Sequence, residues 1–139
     1  MNDIITLTLP GDIMFARLAS QTASSIARLL ADDHLTETDS CTFAHAFELA
    51  ITEAFTNSVT HASENATSAM VTVTFHIEQQ QLTVIITDAN EPFIIETPAP
   101  DIESFPVHGF GLMIIRKLMD HVVYRREDDS NILAMSKAL

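Results

Sequence analysis

The hydrophobic periodicities of the chain predict an α+β fold. Two long stretches, 13–31 and 36–62, repeat apolar residues every three or four positions, as amphipathic helices do. Two adjacent stretches, 69–78 and 81–87, alternate with period two and are separated only by Gln79 and Gln80, the pattern of a β-hairpin. A leading strand, a short late helix and a closing strand pair complete the set, and helices and strands grouped in this way make an α+β domain.

Each element has its own warrant. Residues 3–9 (DIITLTL) alternate and are rich in β-formers, a strand closed by the turn pair Pro10-Gly11. Between 13 and 31, Phe15, Leu18, Ala19, Ile26, Leu29 and Leu30 follow helical spacing, with Arg17 and Arg28 at polar positions. After an acidic connection over 32–36, Thr36 stands three before Asp39, a capping start for a helix running to about Ala62. Residues 63–67 are turn-like, and the hairpin follows, its turn type left open because the usual glycine is missing. Its second strand ends at Asp88-Ala89-Asn90.

Residues 91–108 hold no sustained period and carry Pro92, Pro98, Pro100 and Pro106. This eighteen-residue stretch exceeds the ~12–15 residues usual for an unstructured connection, which predicts a lid or binding loop. A short helix is expected from about Gly111 to Asp120, then strands over 122–127 and 132–137 around a turn at 128–131. With no repeat, low-complexity tract or linker, residues 1–139 read as a single domain.

Composition narrows the function classes. A chain of 139 residues buries a sizeable core without staples, and the single Cys41 excludes an internal disulfide. No apolar run nears the ~20 residues that cross a bilayer, and the N-terminal MNDIITLTLP lacks the pattern of a signal peptide. A cytoplasmic location is therefore expected. The net charge of −12 argues against a nucleic-acid partner, since phosphate backbones attract basic surfaces. Glycine is scarce, with Gly11, Gly109 and Gly111 alone, yet two of these fall in one tripeptide.

Three pieces carry candidate chemistry. In ELAITEAFTNSVTHA (48–62), Phe47, Ala50, Ile51, Ala54 and Ser58 share one helix face, while Glu53, Asn57 and His61 form a polar ridge along its flank. Read alone, the ridge is either ordinary surface polarity or a carboxylate and carboxamide set to bind something. Asp88, read alone, is a turn residue that ends a strand. Gly109-Phe110-Gly111 directly precedes a helix, and helix N-termini offer free N–H donors and a positive dipole end to an anion. On its own this tripeptide is as consistent with a turn or a helix start. No P-loop Gly-Lys-Ser/Thr is present, and the glycines come too late for a dinucleotide fold.

Taken in order, Glu53-x-x-x-Asn57, Asp88 and Gly109-x-Gly111-Leu112 resemble the Bergerat-fold (GHKL) ATPases, the superfamily of gyrase-type, histidine-kinase and mismatch-repair ATPases. The form EAFTNSVTH, followed by GFGLMIIRKLMDHV, is most similar to the bacterial anti-sigma-factor serine kinases, over roughly residues 5–137. The resemblance implies an α+β two-layer sandwich with a mixed, mostly antiparallel sheet covered on one face by about three helices. It implies ATP and Mg²⁺ as cofactors, with Asn57 the metal ligand and Glu53 the general base. Asp88 would accept a hydrogen bond from the adenine amino group. Gly109, Phe110, Gly111 and Leu112 would form the phosphate turn, and 91–108 the ATP lid. The family's middle motif reads Asp-x-Gly, whereas here Asn90 takes the glycine's place; Asn tolerates left-handed angles but brings a side chain toward the adenine.

The implied partners are a sigma factor and an anti-sigma-factor antagonist, the latter phosphorylated on serine, with the lid and first helix as partner surfaces. A homodimer is also implied, as is exchange of partners between ATP and ADP states. The alternative is a non-catalytic partner-binding module of the same fold, with weak or no ATP binding. A histidine-kinase catalytic domain would need an upstream helix bearing a phospho-accepting histidine. His34, His45, His76, His108 and His121 show no metal-ligand spacing, and His61 reads as helix packing. Cys41 reads as a small core or cap residue, and Phe43, Phe47 and Phe55 as helix packing. Arg116 and Lys117 have no assigned side of the fold.

Overall fold

The computed structural model describes residues 2–60, 70–89 and 110–139. Its elements are β1 (Asp3–Pro10), a 3-10 turn (Ile13–Phe15), α1 (Ala16–Ala31), α2 (Glu37–Thr60), β2 (Met70–Ile77), β3 (Gln81–Asp88), α3 (Phe110–Leu118), β4 (His121–Glu127) and β5 (Ser130–Ala138). The five strands form one sheet in the order β1-β2-β3-β5-β4, antiparallel at every pairing. With three α-helices among the described residues, this is the expected two-layer α+β arrangement, except that the sheet, expected to be mixed, is antiparallel throughout the described residues.

Alternation decides which side of the sheet is covered. Leu9, Val71, Val73, Phe75, Leu82, Val84, Ile86, Leu133 and Met135 are buried and lie on one face, in cross-strand rows such as Phe75–Val84–Met135. On the other face, rows such as Thr74–Ile85–Ala134 are only half-buried. The helices supply the opposing wall. Ala19, Ala23, Ile26, Ala27, Leu30 and Ala31 of α1 meet Phe43, Phe47, Ala50, Ile51, Ala54 and Phe55 of α2 in a single cluster with the sheet's inner face. The three phenylalanines are packing residues, and Phe43 meets Phe47 edge-on at 5.2 Å between centroids.

Local chemistry sets the boundaries. The first helix begins at Ala16 rather than Ile13, because Asp12 accepts a hydrogen bond from the Met14 N–H (3.0 Å) and closes a 3-10 turn first. Thr36 caps α2, its hydroxyl accepting from the Asp39 N–H at 3.2 Å. The Gln79–Gln80 turn keeps negative φ throughout, so it needs no glycine. The tight turn between β4 and β5 is Asp128-Asp129 alone, both left-handed (φ 49° and 62°), the form that matches strand twist in a two-residue loop. Ser130 and Asn131, expected in that turn, are therefore strand residues. Helix α3 stops at Leu118, and Asp120 leaves it to donate its N–H to Ser136 O (2.9 Å).

Two sequence readings are corrected. Cys41 is exposed on α2 rather than in the core, where Arg28 of α1 donates to its sulfur at 2.8 Å and to Glu37 at 2.8 Å. Leu18 and Leu29 keep the helical period but face solvent, on the side of α1 turned away from the buried Ala19, Ala23, Ile26, Ala27 and Leu30. The turn at 63–67, His61 and the lid stretch 91–108 lie outside the described residues.

Candidate functional site

The site grows from α2. Its buried stripe, Phe47, Ala50, Ile51, Ala54, Phe55 and Ser58, fixes the rotation of the helix about its axis. Glu53 and Asn57, one turn apart on the flank of that stripe, are held half-buried beside the core. The start of α3 then packs onto this flank. A methyl group built on Gly111 would stand 2.8 Å from Glu53 Oε2 and 3.2 Å from Asn57 Nδ2. Backbone and polar ridge thus meet where any side chain would intrude, and the first turn of α3 lies directly against the carboxylate and carboxamide. Leu112, the next residue, is buried and anchors that turn in the core.

Asp88 reaches the same helix from the sheet. The inward parity that buries Leu82, Val84 and Ile86 ends on Asp88, itself buried, at the last position of β3. Its carboxylate accepts a hydrogen bond from the buried hydroxyl of Ser58, the residue after Asn57. Asn131 Nδ2 donates to the other carboxylate oxygen at 2.9 Å. Glu53, Asn57, Gly111 and Asp88 therefore belong to one neighbourhood, tied together by α2. Asn90 and Gly109 lie outside the described residues, and Phe110 opens α3. Arg116 and Lys117 sit exposed in the last turn of α3.

Sequence reasoning missed part of this site. Asn131 lies opposite Asp88 across β3 and β5, and Arg126 lies opposite Asn131 across β4 and β5. The inner face of the sheet thus changes from the apolar row Ile86–Leu133–Tyr124 to the polar row Asp88–Asn131–Arg126. Asn131 Oδ1 accepts from Tyr124 OH and from Arg126 Nη1, each at 2.8 Å. The signal was available in the alternation Asn131, Leu133, Met135. Ser58 was read only as a small member of the helix's apolar face.

The arrangement places an acid and an amide beside a helix N-terminus, whose first N–H groups lack intrahelical partners and carry the positive dipole end. That combination suits an anion accompanied by a hard cation. Among the described residues no three His, Cys, Asp or Glu side chains cluster as a closed metal cage. Mg²⁺ fits such a donor set, because it takes few protein ligands and completes its shell with water and phosphate oxygens. A concavity of about 970 Å³ at the opposite end of β3, between β1, the end of α1 and the β2–β3 turn, includes none of these groups.

The sequence as a whole matches the family model for the histidine kinase-like ATPase domain over residues 16–137. A serine-protein kinase RsbW of Listeria innocua is 31% identical over 131 residues, covering 88% of this chain and 79% of the relative. Those of Oceanobacillus iheyensis and Bacillus velezensis are 27% and 25% identical, covering 86% and 99% of this chain and 77% and 86% of theirs. None of the described helices is long and apolar enough to cross a membrane.

Proposed function

The chain belongs to the histidine kinase-like ATPase family, alongside the serine-protein kinases RsbW, and from that premise we propose that it is an anti-sigma regulatory factor with ATP-dependent serine kinase activity. It binds a sigma factor, and it phosphorylates a serine on the antagonist of that complex. The observation that supports this most is the seating of Gly111 against Glu53 and Asn57, which brings the start of α3 to an acid one turn from an amide.

Each residue has a physical task in this reading. Asp88, buried at the strand end, accepts a hydrogen bond from the amino group of adenine. The phosphates are received by backbone N–H groups of Gly109 and of Phe110, Gly111 and Leu112, the last three at the start of α3. Asn57 would hold Mg²⁺ through its amide oxygen, and the bound ion would supply positive charge to offset that of the phosphates. Glu53 takes the proton from the serine hydroxyl as its oxygen bonds to the γ-phosphorus and ADP departs. Half-burial helps, because a general base shielded from bulk water keeps its geometry toward one donor. The protein works in the cytoplasm, as a homodimer, and exchanges partners according to whether ATP or ADP is bound.

The test is transfer of labelled γ-phosphate, in the presence of Mg²⁺, to serine-bearing anti-sigma-factor antagonist domains. Transfer is expected from the unaltered protein and is lost in Glu53→Ala, while ATP still raises the melting temperature of that variant. Full transfer by Glu53→Ala removes Glu53 from the role of base. Asn90, in the place of the family's glycine, favours a second reading as a partner-binding module without chemistry. No change in melting temperature at millimolar Mg-ATP would select that module.

A further inference from the structure

The polar row at the end of the sheet has a direction. Arg126 Nη1 and Asn131 Oδ1 are 2.8 Å apart, and a guanidinium has no acceptor, so Arg126 donates. That fixes the otherwise ambiguous amide of Asn131: its oxygen faces Arg126, and its NH₂ faces Asp88 at 2.9 Å. Tyr124 OH, also 2.8 Å from that oxygen, donates in the same sense. Ser58 donates to the second Asp88 oxygen from α2. Each of these bonds therefore runs toward Asp88. Asn131 is 2% exposed, so a flipped amide would set its oxygen against a carboxylate oxygen with no water to separate them.

We propose that Asn131, oriented by Arg126 and Tyr124, is a positioning residue that holds Asp88 as a hydrogen-bond acceptor and so sets the preference of the site for a purine with an exocyclic amino group over one with a carbonyl there. The inference rests on the reading that Asp88 meets the base of a nucleotide. A carboxylate has about four lone-pair sites, so the two donors Ser58 and Asn131 do not by themselves saturate it. They fix its plane about the Cβ–Cγ bond, one from each side, so a ligand donor meets a lone pair that is already aimed. Remove Asn131 and the carboxylate loses the donor from β5 that sets its plane; the base then meets a less well aimed partner. Arg126 acts one step further out, from the exposed edge strand β4.

The nucleotides ATP and ITP differ at this position, amino in one and carbonyl in the other, so their affinity ratio reads the effect directly. Calorimetric titration of the intact protein with each, in Mg²⁺, is expected to show a preference for ATP. Asn131→Leu lowers that ratio about tenfold or more, the usual worth of an aimed hydrogen bond to a charged group. Arg126→Met, at an exposed position, lowers it about threefold with the melting temperature little changed. Arg126→Lys, which still donates, restores most of it, a rescue that a purely structural role would not produce. Should Asn131→Leu fail to fold, the Arg126 pair decides. A ratio unchanged in Arg126→Met and Asn131→Leu overturns the relay and leaves the nucleotide reading standing; no binding of ATP by the unaltered protein overturns both.

Discussion

Replacing Gly111 by alanine separates the geometry of the site from the stability of the fold. The added Cβ would lie 2.8 Å from Glu53 Oε2, closer than carbon and oxygen approach without bonding, and 3.2 Å from Asn57 Nδ2. Both atoms are the far ends of side chains, so relief comes from displacing the carboxylate by roughly half an ångström or more, not from moving a helix. The helical backbone itself favours alanine over glycine by up to about 1 kcal/mol, which offsets much of the crowding. Net stability should therefore change by no more than about 1 kcal/mol, a melting shift of a few degrees. Misplacing a reacting group by about 1 Å costs on the order of 100-fold in rate, so phosphate transfer should fall about 10- to 100-fold. The assay pairs thermal melting with a transfer time course on the same preparation. A folded Gly111→Ala protein with full activity would refute the seating of α3 on Glu53. A loss of more than about 3 kcal/mol would mean that backbone, not a side-chain tip, takes the clash. In a Glu53→Ala background the stability cost of Gly111→Ala should shrink, since its nearest neighbour is gone.

Other consequences follow from the same geometry. Chelating Mg²⁺ with EDTA, or replacing Asn57 by alanine, should each reduce the rise in melting temperature that ATP produces, measured at fixed nucleotide concentration. Asp88→Ala removes the acceptor shared by the buried donors of Ser58 and Asn131, so it should cost about 1–3 kcal/mol in urea unfolding as well as adenine binding. Phe47→Ala empties a fully buried position beside Phe43 and Ile51 and should cost about 3–5 kcal/mol, with a lower urea midpoint and an unchanged slope.

How far the sequence could be read depended on the kind of information each residue carried. The stripe Phe47–Ala50–Ile51–Ala54–Ser58 was legible because one buried face leaves a strict period, and the flank bearing Glu53 and Asn57 followed from it. The hairpin was legible from alternation, and its missing glycine proved immaterial because φ stays negative at Gln79 and Gln80. Asn131 was misplaced because Asp-Asp-Ser-Asn is turn-rich throughout its length, although two residues suffice to turn the chain there. Pairing across strands, which local composition does not record, brings Asn131 to Asp88. Exposure was the least legible property. Cys41, Leu18 and Leu29 have the hydropathy of core residues, yet Leu18 and Leu29 lie on the outer side of α1 and Cys41 lies exposed beside Arg28 of α1. The order of Glu53, Asn57, Asp88 and Gly111 along the chain pointed to a common site, and the close approach of Gly111 to the α2 ridge supplies a geometric reason for a glycine there.

The most direct measurement is a structure of the protein crystallised with Mg²⁺ and a non-hydrolysable ATP analogue. The account predicts the adenine amino group about 2.7–3.2 Å from an Asp88 carboxylate oxygen, Asn57 Oδ1 about 2.1 Å from the metal, and the phosphates at the start of α3. A nucleotide bound elsewhere, or one whose base makes no hydrogen bond to Asp88, would contradict it.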